Sequence, residues 1–175
     1  MSFISTGVEY ALHCLLYLSK PHPGTTEANV RDLAKLQGVP AEYLAKVFTK
    51  LHKPGLVIAT EGAKGGFTLG RPPEQITVHD VVLAIDGQKS LFECREIRAR
   101  NDIFCSETPP DWATSGVCSI HAVMIEAEQQ MRQSLAKTTL FDLAQQVVTK
   151  APPVYGTQII KWFDERPSAR RTDKA

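Results

Sequence analysis

Hydrophobic positions in the first half of the chain repeat at helical spacing and are separated by helix-breaking residues. The pattern predicts a first helix from about residue 4 to 19, which stops before the Pro/Gly segment at 21–24. A second helix at 29–39 is expected to end at Gly38, and a third begins at Pro40. Two short helices joined by a tight turn predict a helix-turn-helix.

A short hairpin is predicted directly after the third helix. The segment LVIAT at 56–60 has the composition of a strand, GAKGG at 62–66 makes a turn, and FTLG at 67–70 forms the returning strand. A helix-turn-helix followed at once by a hairpin is the element order of a winged helix. The predicted fold class is therefore mainly α, with a small β-hairpin wing and a long dimerisation helix further along the chain.

The second half of the chain changes character. A helix at 77–87, with Thr77 as its cap and Asp80 in its first turn, precedes about 30 residues without lasting periodicity. A long helix at 118–137 and a short one at 138–148 follow, and the long one carries an apolar seam suited to pairing with a second copy. The seam consists of Ile120, Met124, Met131 and Leu135, with Val123 and Ala127 beside it.

These elements predict three regions. Residues 1–75 form a winged helix-turn-helix DNA-binding region, residues 76–150 hold a sensor loop and the dimerisation helices, and residues 151–175 are a C-terminal tail. The apolar share of 43% over 175 residues suffices for a core without disulfide bonds. The sequence has neither a signal-peptide pattern nor the roughly 18 apolar residues of a membrane span, so we expect a cytoplasmic protein.

The charge of one local stretch indicates DNA binding, whereas the net charge of the whole chain does not. The formal net charge is +1, so a nucleic-acid partner has to be met by a patch rather than by the whole chain. Between Pro40 and Arg71 there are five Lys or Arg residues and two Glu. On a helix-turn-helix this excess favours duplex DNA over a merely solvated lysine face, and one phosphate contact such as Lys50 should contribute about one unit of salt slope. The candidate DNA-facing residues are Glu42, Tyr43, Lys46, Thr49, Lys50, Lys53 and Lys64.

The cysteines divide into one core candidate and three chemical candidates. Cys14 lies in the apolar first helix, where a free thiol usually packs as a small core residue. Cys94, Cys105 and Cys118 fall within 25 residues of one another, separated by 11 and 13 positions. In a cytosolic chain such clustering favours metal binding or redox chemistry over structural disulfides. Zinc binding and free thiols remain open interpretations.

Two polar residues interrupt the first helix. Glu9 and His13 lie one helical turn apart, so both project from one face of an otherwise apolar segment. A solvated polar stripe is the commoner explanation of such a pair. A pair of ligands to one metal ion is the alternative.

Three stretches carry a resemblance to a known family: EYALHCLLYLS at 9–19, EYLAKVFTKLHKPGLV at 42–57 and EGAKGGFTLGRPPEQITVHDVVLAIDG at 61–87. They are similar to the Rrf-type bacterial transcription regulators, the family of IscR, NsrR and CymR. The resemblance covers residues 2–90 closely, and TTLFDLA at 138–144 matches the family's closing helix. It implies a homodimer, built on the long helix, that binds a palindromic operator. Many members carry an iron–sulfur cluster.

Within that family, GVEYALHC and CREIRAR (residues 94–100) resemble the redox-sensing 2Fe–2S regulators of the RsrR type. That resemblance implies a 2Fe–2S cluster held by two cysteines of one subunit and by a glutamate and a histidine from the first helix of the other. The cysteines are spaced more widely than in IscR-like members, so a three-cysteine 4Fe–4S site is not expected. The candidate metal ligands are Glu9, His13, Cys105 and Cys118, with Cys94 and His121 as weaker candidates.

The sequence thus predicts a homodimeric DNA-binding transcriptional repressor that senses redox or nitrosative state through a shared iron–sulfur cluster. The alternative is a clusterless winged-helix regulator controlled by a partner protein or a small molecule. An enzyme is not expected, because the chain has no nucleophile–base motif and no phosphate-cradling loop. A zinc-stabilised DNA binder fits the wide cysteine spacing poorly.

Overall fold

The computed structural model describes residues 3–19, 27–60, 65–104 and 108–166. Within them the chain forms eight α-helices and one two-stranded sheet. The elements are α1 (Thr6–Leu18), α2 (Val30–Gln37), α3 (Ala41–His52), β1 (Val57–Thr60), β2 (Gly66–Leu69), α4 (Val78–Asp86), α5 (Asp111–Thr114), α6 (Ser119–Lys137), α7 (Leu140–Lys150) and α8 (Val154–Asp164). They divide between two units, residues 1–87 with 135–175 and residues 88–134.

The helix-turn-helix forms as the breaker residues predict. Asn29 caps α2 by accepting a hydrogen bond from the Asp32 amide at 2.8 Å. Gly38 ends the helix in the left-handed conformation, with φ 67° and ψ 31°, where a side chain would be strained. The Val39 amide then donates to the Ala34 carbonyl at 2.9 Å, which closes the turn. The predicted helix pair is confirmed.

The predicted hairpin is also confirmed. β1 and β2 pair antiparallel with Val57 opposite Leu69. Ala28, just before α2, exchanges two backbone hydrogen bonds with Phe67, so the hairpin is attached to the start of the helix-turn-helix. The mainly α fold class with a hairpin wing is therefore correct. Residues 61–64, which include the predicted wing contact Lys64, lie outside the described residues.

One hydrophobic core holds the first unit together. It combines the apolar faces of α1, α2, α3 and α4 with single residues from the hairpin and α7, including the fully buried Leu15, Phe48 and Leu140. Full burial of each such side chain contributes about 1.5–3 kcal/mol relative to exposure. α4 and α7 begin with capping boxes at Thr77 and Thr139, and the cap at Thr77 is the one that the sequence predicts.

In the second unit, the segment without periodicity is organised by side chains rather than by regular structure. Glu128 on α6 accepts a hydrogen bond from the Leu91 amide at 2.7 Å and pairs with Arg132 at 2.8 Å. Arg132 in turn donates to the Lys89 carbonyl at 3.0 Å. These two side chains fasten the start of the segment to the helix.

The C-terminal region departs from the sequence interpretation. Residues 151–175 are predicted as a tail, yet Val154–Asp164 form α8 directly after Pro152 and Pro153. Proline is tolerated at a helix start because the first amides have no intrahelical partner. No helix in the described parts of the chain is long and apolar enough to cross a membrane.

Candidate nucleic-acid interface and metal ligands

α3 presents one buried face and one polar face. Its apolar stripe, which includes Leu44, Val47 and Leu51, is buried in the core. The polar positions predicted to face DNA are all exposed. They are Glu42, Tyr43, Lys46, Thr49, Lys50 and, immediately after the helix, Lys53.

The lysines on this surface differ in what their ammonium groups contact. Lys50 donates to the Ile85 carbonyl at the end of α4, with Nζ and O 2.7 Å apart. Lys50 therefore ties α3 to α4, a role that the sequence alone does not predict. Lys46 and Lys53 have no hydrogen-bond or ion-pair partner among the described residues, so their charges face solvent.

α1 touches the first turn of α3 directly. The rings of Tyr10 and Tyr43 pack edge to face with their centroids 5.7 Å apart. A Cβ at Gly7 would lie 3.0 Å from the Tyr43 hydroxyl and 3.1 Å from Cγ2 of Ile85, so a larger residue there requires one of these side chains to shift. At the start of α1 the Ser5 amide donates to the Asp86 carboxylate at 2.8 Å.

Glu9 and His13 lie on the outer side of the same helix. Both side chains are exposed, and neither has a hydrogen-bond or ion-pair partner among the described residues. They edge a groove of about 550 Å³ whose walls are mostly apolar and come from α1, α4, the end of α6 and α7. Leu12, Val82 and Leu143 are among the lining residues. A carboxylate and an imidazole thus flank an open apolar surface.

In the second unit, Arg98 connects the segments that carry two of the cysteines. Its guanidinium donates to the carbonyls of Gly116 at 3.0 Å, Thr114 at 3.2 Å and Ser115 at 3.4 Å, and it pairs with the Glu96 carboxylate. The hydrogen bond with Glu96 is the main reason why the pKa of Arg98 lies above its ordinary value.

Cys118 and Cys94 raise the pKa of Arg98 further, so both thiols lie within electrostatic reach of one cation. Each is half-buried, and neither forms a disulfide. The described structure brings Cys94 and Cys118 to the same guanidinium, while Cys105, which the sequence analysis ranks above Cys94, lies outside the described residues. The sequence contains a hint of this contact, because Arg98 follows Cys94 by four positions in the segment CREIRAR.

The remaining candidates are less informative. Cys105 lies outside the described residues. His121 packs its ring 6.0 Å from that of Phe92, and its charge lowers the pKa of Glu96, after the larger effect of Arg98. No group of three or more histidine, cysteine, aspartate or glutamate side chains converges within the described residues.

α6 has a largely uncovered surface. None of its 19 residues is buried within the chain. Ile120 of the predicted seam and Val123 beside it are each 63% exposed, as is the preceding Val117. Leu135, at the other end of the seam, packs against the core of its own chain.

The thiols are expected to differ sharply in reactivity. Cys14 has no exposed surface, and burial raises its pKa to about 12, so it remains protonated and shielded. In metal-free native protein at pH 8, iodoacetamide should modify Cys94 and Cys118 at least about tenfold faster than Cys14, as peptide mass spectrometry measures. Denaturant should abolish the difference, and equal rates in the native protein would contradict it.

The same burial predicts a pH effect on folding. An unfolded cysteine ionises near pH 8.5, whereas folded Cys14 holds its proton to about pH 12. Its contribution to stability is therefore complete below about pH 8.5 and is lost as the pH rises toward 12.

Comparison with known proteins agrees with this architecture. Residues 4–146 match the Rrf2 family, described as iron-dependent transcriptional regulators. Protein rrf2 of Nitratidesulfovibrio vulgaris is 30% identical over 140 residues, 80% of this chain and 85% of the relative. An HTH-type transcriptional regulator of Mycobacterium tuberculosis is 30% identical over 141 residues, 81% of this chain and 80% of the relative.

Solved structures agree with the fold. CymR, the global cysteine regulator of B. subtilis, is similar with a TM-score of 0.64 and 26% identity, covering 83% of this chain and 98% of CymR. IscR of T. potens has a TM-score of 0.62 and 21% identity, covering 86% of this chain and 93% of IscR. With the family match extending over most of the chain, the protein belongs to the Rrf2 family of transcriptional regulators, and it is a regulator rather than an enzyme.

Proposed function

We propose that this regulator binds a palindromic DNA operator as a homodimer, with α3 in the major groove. The observation that carries the proposal is the exposed polar face of α3, which follows a tight helix-turn-helix and adjoins a hairpin. Recognition helices of this kind read base edges with their N-terminal half and phosphates with flanking lysines. Glu42 and Tyr43 occupy the first half, and Lys46 and Lys53 offer uncommitted charges.

The dimer is proposed to form through α6. A helix without a buried residue, carrying exposed Ile120 and Val123, leaves apolar surface that a second copy can cover. The opposite interpretation, a solvated helix, does not account for two branched aliphatic side chains on one exposed stretch. A dimer also matches the two half-sites of a palindrome.

The sensor is proposed to be a 2Fe–2S cluster of the RsrR type, shared between subunits. The donors suit it in kind: two half-buried free thiols beside a cation, and a carboxylate and an imidazole one helical turn apart. From the resemblance to RsrR-type regulators, we assign Glu9 and His13 to one subunit and the cysteines to the other. Of the cysteines, we assign Cys118 first and, from its proximity to Arg98, Cys94 alongside Cys105.

Such a cluster would supply a reversible one-electron change at the subunit boundary, and mixed ligation would raise its potential above that of an all-cysteine site. The chain's own residues would transmit this one-electron change to the reading helices. Arg98 holds the Cys94 segment to the 114–116 segment. α1 carries Glu9 and His13 on one side, and on the other side its Gly7 contacts Tyr43 of α3. A small displacement of α1 would therefore alter the spacing of the two reading helices.

We further propose that the regulator represses its targets and responds to redox or nitrosative state in the cytoplasm. Iron and sulfide content of protein purified without oxygen tests the cluster. Iron-free protein with full DNA affinity would instead favour a clusterless regulator controlled by a partner protein or a small molecule.

DNA binding is tested by selecting duplexes from a random-sequence pool and measuring affinity against salt. Lys46→Ala should lower the slope of log K against log salt by about one unit for each phosphate that is no longer neutralised, hence about two for a dimer. Lys50→Ala should leave the slope unchanged and lower the melting temperature, because its ammonium is bound to the Ile85 carbonyl.

The control is Lys161→Ala on α8, whose side chain is 73% exposed and remote in sequence from the helix-turn-helix. It should change neither slope nor melting temperature appreciably. A selection that enriches no duplex would refute the proposed function, and a full slope change in Lys50→Ala would reassign that lysine to the phosphates.

A further inference from the structure

α8 lies outside the residues matched by the family, which end at 146, and within the first unit it packs against α1 and α2. Its Gly156 is buried, and Phe163 contacts the hydrophobic core. A glycine at a buried helical position removes the side chain that would keep the helix at a distance.

Tyr17 at the end of α1 links α8 to α2. Its ring meets that of Phe163 edge to face, with centroids 6.4 Å apart. Its hydroxyl accepts a hydrogen bond from Nε2 of Gln37, the last residue of α2, at 2.9 Å. Burial is the main reason why the pKa of Tyr17 lies above its ordinary value, and Tyr155 of α8 raises it further.

The other end of α2 meets the end of α8. Nη1 of Arg166 lies 3.6 Å from Oδ1 of Asp32, and both side chains are about three-quarters buried. The guanidinium also stacks over the Trp162 ring at 3.7 Å from its centroid, which restricts its position. Asp32 belongs to the first turn of α2 and takes part in its cap with Asn29.

α2 buries little surface of its own. Leu33 and Ala34 are its buried residues, Val30 packs partly buried against the core, and Ala28 just before the helix is bound to Phe67 by two backbone hydrogen bonds. A short helix with so few buried side chains opens locally at lower free energy than the core helices, so further contacts at its ends add to its anchorage.

We propose that α8 is a positioning element for the helix-turn-helix: Phe163, through Tyr17, and Arg166, through Asp32, hold α2 at its two ends. The effect of α8 on DNA binding rests on the proposed function, whereas its role in holding α2 rests on the contacts alone. In a helix-turn-helix the first helix lies across the DNA backbone, so an α2 that opens presents α3 less often in the binding position.

Hydrogen exchange on the full-length protein tests the geometry. Phe163→Ala should accelerate amide exchange in α2 by about fivefold to tenfold, and Arg166→Ala by about threefold, while α4 and α7 stay within about twofold of native. Arg166→Lys, which keeps the charge, should recover part of the protection. Lys161→Ala, on the same helix but away from α2, serves as the matched control, and a chain ending at Arg166 separates α8 from the nine residues that follow.

DNA affinity tests the consequence, with duplexes enriched from the random pool. Arg166→Ala should weaken binding by about threefold at every salt concentration with an unchanged salt slope, because Arg166 pairs with Asp32 and not with a phosphate. Unchanged exchange in α2, or equal acceleration in all helices, would overturn the proposal, and a reduced slope would make Arg166 a phosphate ligand instead. If the native protein enriches no duplex, the proposed function fails while the exchange data still decide the role of α8.

Discussion

Cys118→Ser is expected to reduce the iron and sulfide of anaerobically purified protein to less than about a tenth of the native content. With one 2Fe–2S cluster per subunit, the native protein should hold about two irons and two sulfides per chain. A serine hydroxyl does not replace a thiolate as ligand to a soft metal centre. Metal and sulfide analysis gives the content, and visible absorbance and electron paramagnetic resonance identify the cluster type.

Mixed dimers test whether the ligands are divided between subunits. A Cys118→Ser chain lacks a thiol, and a chain with both Glu9→Ala and His13→Ala lacks the other pair. If the pairs belong to opposite subunits, a purified heterodimer of these chains retains one intact site and should hold about one cluster per dimer. If all ligands come from the same chain, neither site is complete and the heterodimer holds none.

Matched cysteine variants give the controls. Cys14→Ala removes a fully buried thiol and should leave iron content unchanged. Cys94→Ser and Cys105→Ser compare the two candidates for the second thiol, and the variant that loses as much iron as Cys118→Ser identifies the ligand. Native anaerobic protein without iron would exclude the cluster.

Gly70→Ala is expected to destabilise the protein more than any other single-methyl addition among its described glycines. A Cβ at residue 70 would lie 2.2 Å from the Gly55 carbonyl oxygen, which is backbone and cannot rotate away. The Gly70 amide donates to the Leu56 carbonyl at 3.0 Å, so moving the strand breaks a hydrogen bond. The free energy of unfolding should fall by about 3 kcal/mol, and the melting temperature by about 6–12 °C.

Gly38→Ala separates backbone strain from steric overlap. A Cβ there meets nothing within 4 Å, but the residue has φ 67°. The expected loss is about 1 kcal/mol, or about 2–4 °C. If thermal unfolding shows Gly70→Ala to be no more destabilised than Gly38→Ala, the hairpin adapts to the methyl group and the close approach is not a constraint.

The elements that could be predicted are those whose determinants lie within a few residues. Gly38 ends α2 because glycine adopts the left-handed conformation without strain. Thr77 caps α4 because its side chain accepts a hydrogen bond from the amide of Asp80, three positions further on. α8 could not be predicted because the two prolines before it indicate a break, although prolines also begin helices. Its docking depends on Tyr17 and Asp32, more than 120 positions away in sequence.

In the candidate site, too, some features could be predicted from local sequence and others depend on distant residues. Helical periodicity predicts which side chains of α3 are exposed, but not that Lys50 reaches the end of α4. Glu9 and His13 could be placed on one face of α1 from their spacing, whereas their position beside an apolar groove required the packing of α4 and α7. The nearness of Cys94 and Cys118 to one guanidinium likewise required the folded position of Arg98.

The helices of the first half, their caps, the hairpin and the outward face of α3 follow from the amino-acid order alone, because hydrophobic periodicity and turn chemistry act over one or two turns of chain. Only the folded chain determines which lysine charges face solvent, which thiols lie near the same guanidinium and where α8 packs. Those outcomes depend on side chains that meet across long sequence separations, and their partners are set by core packing rather than by local spacing.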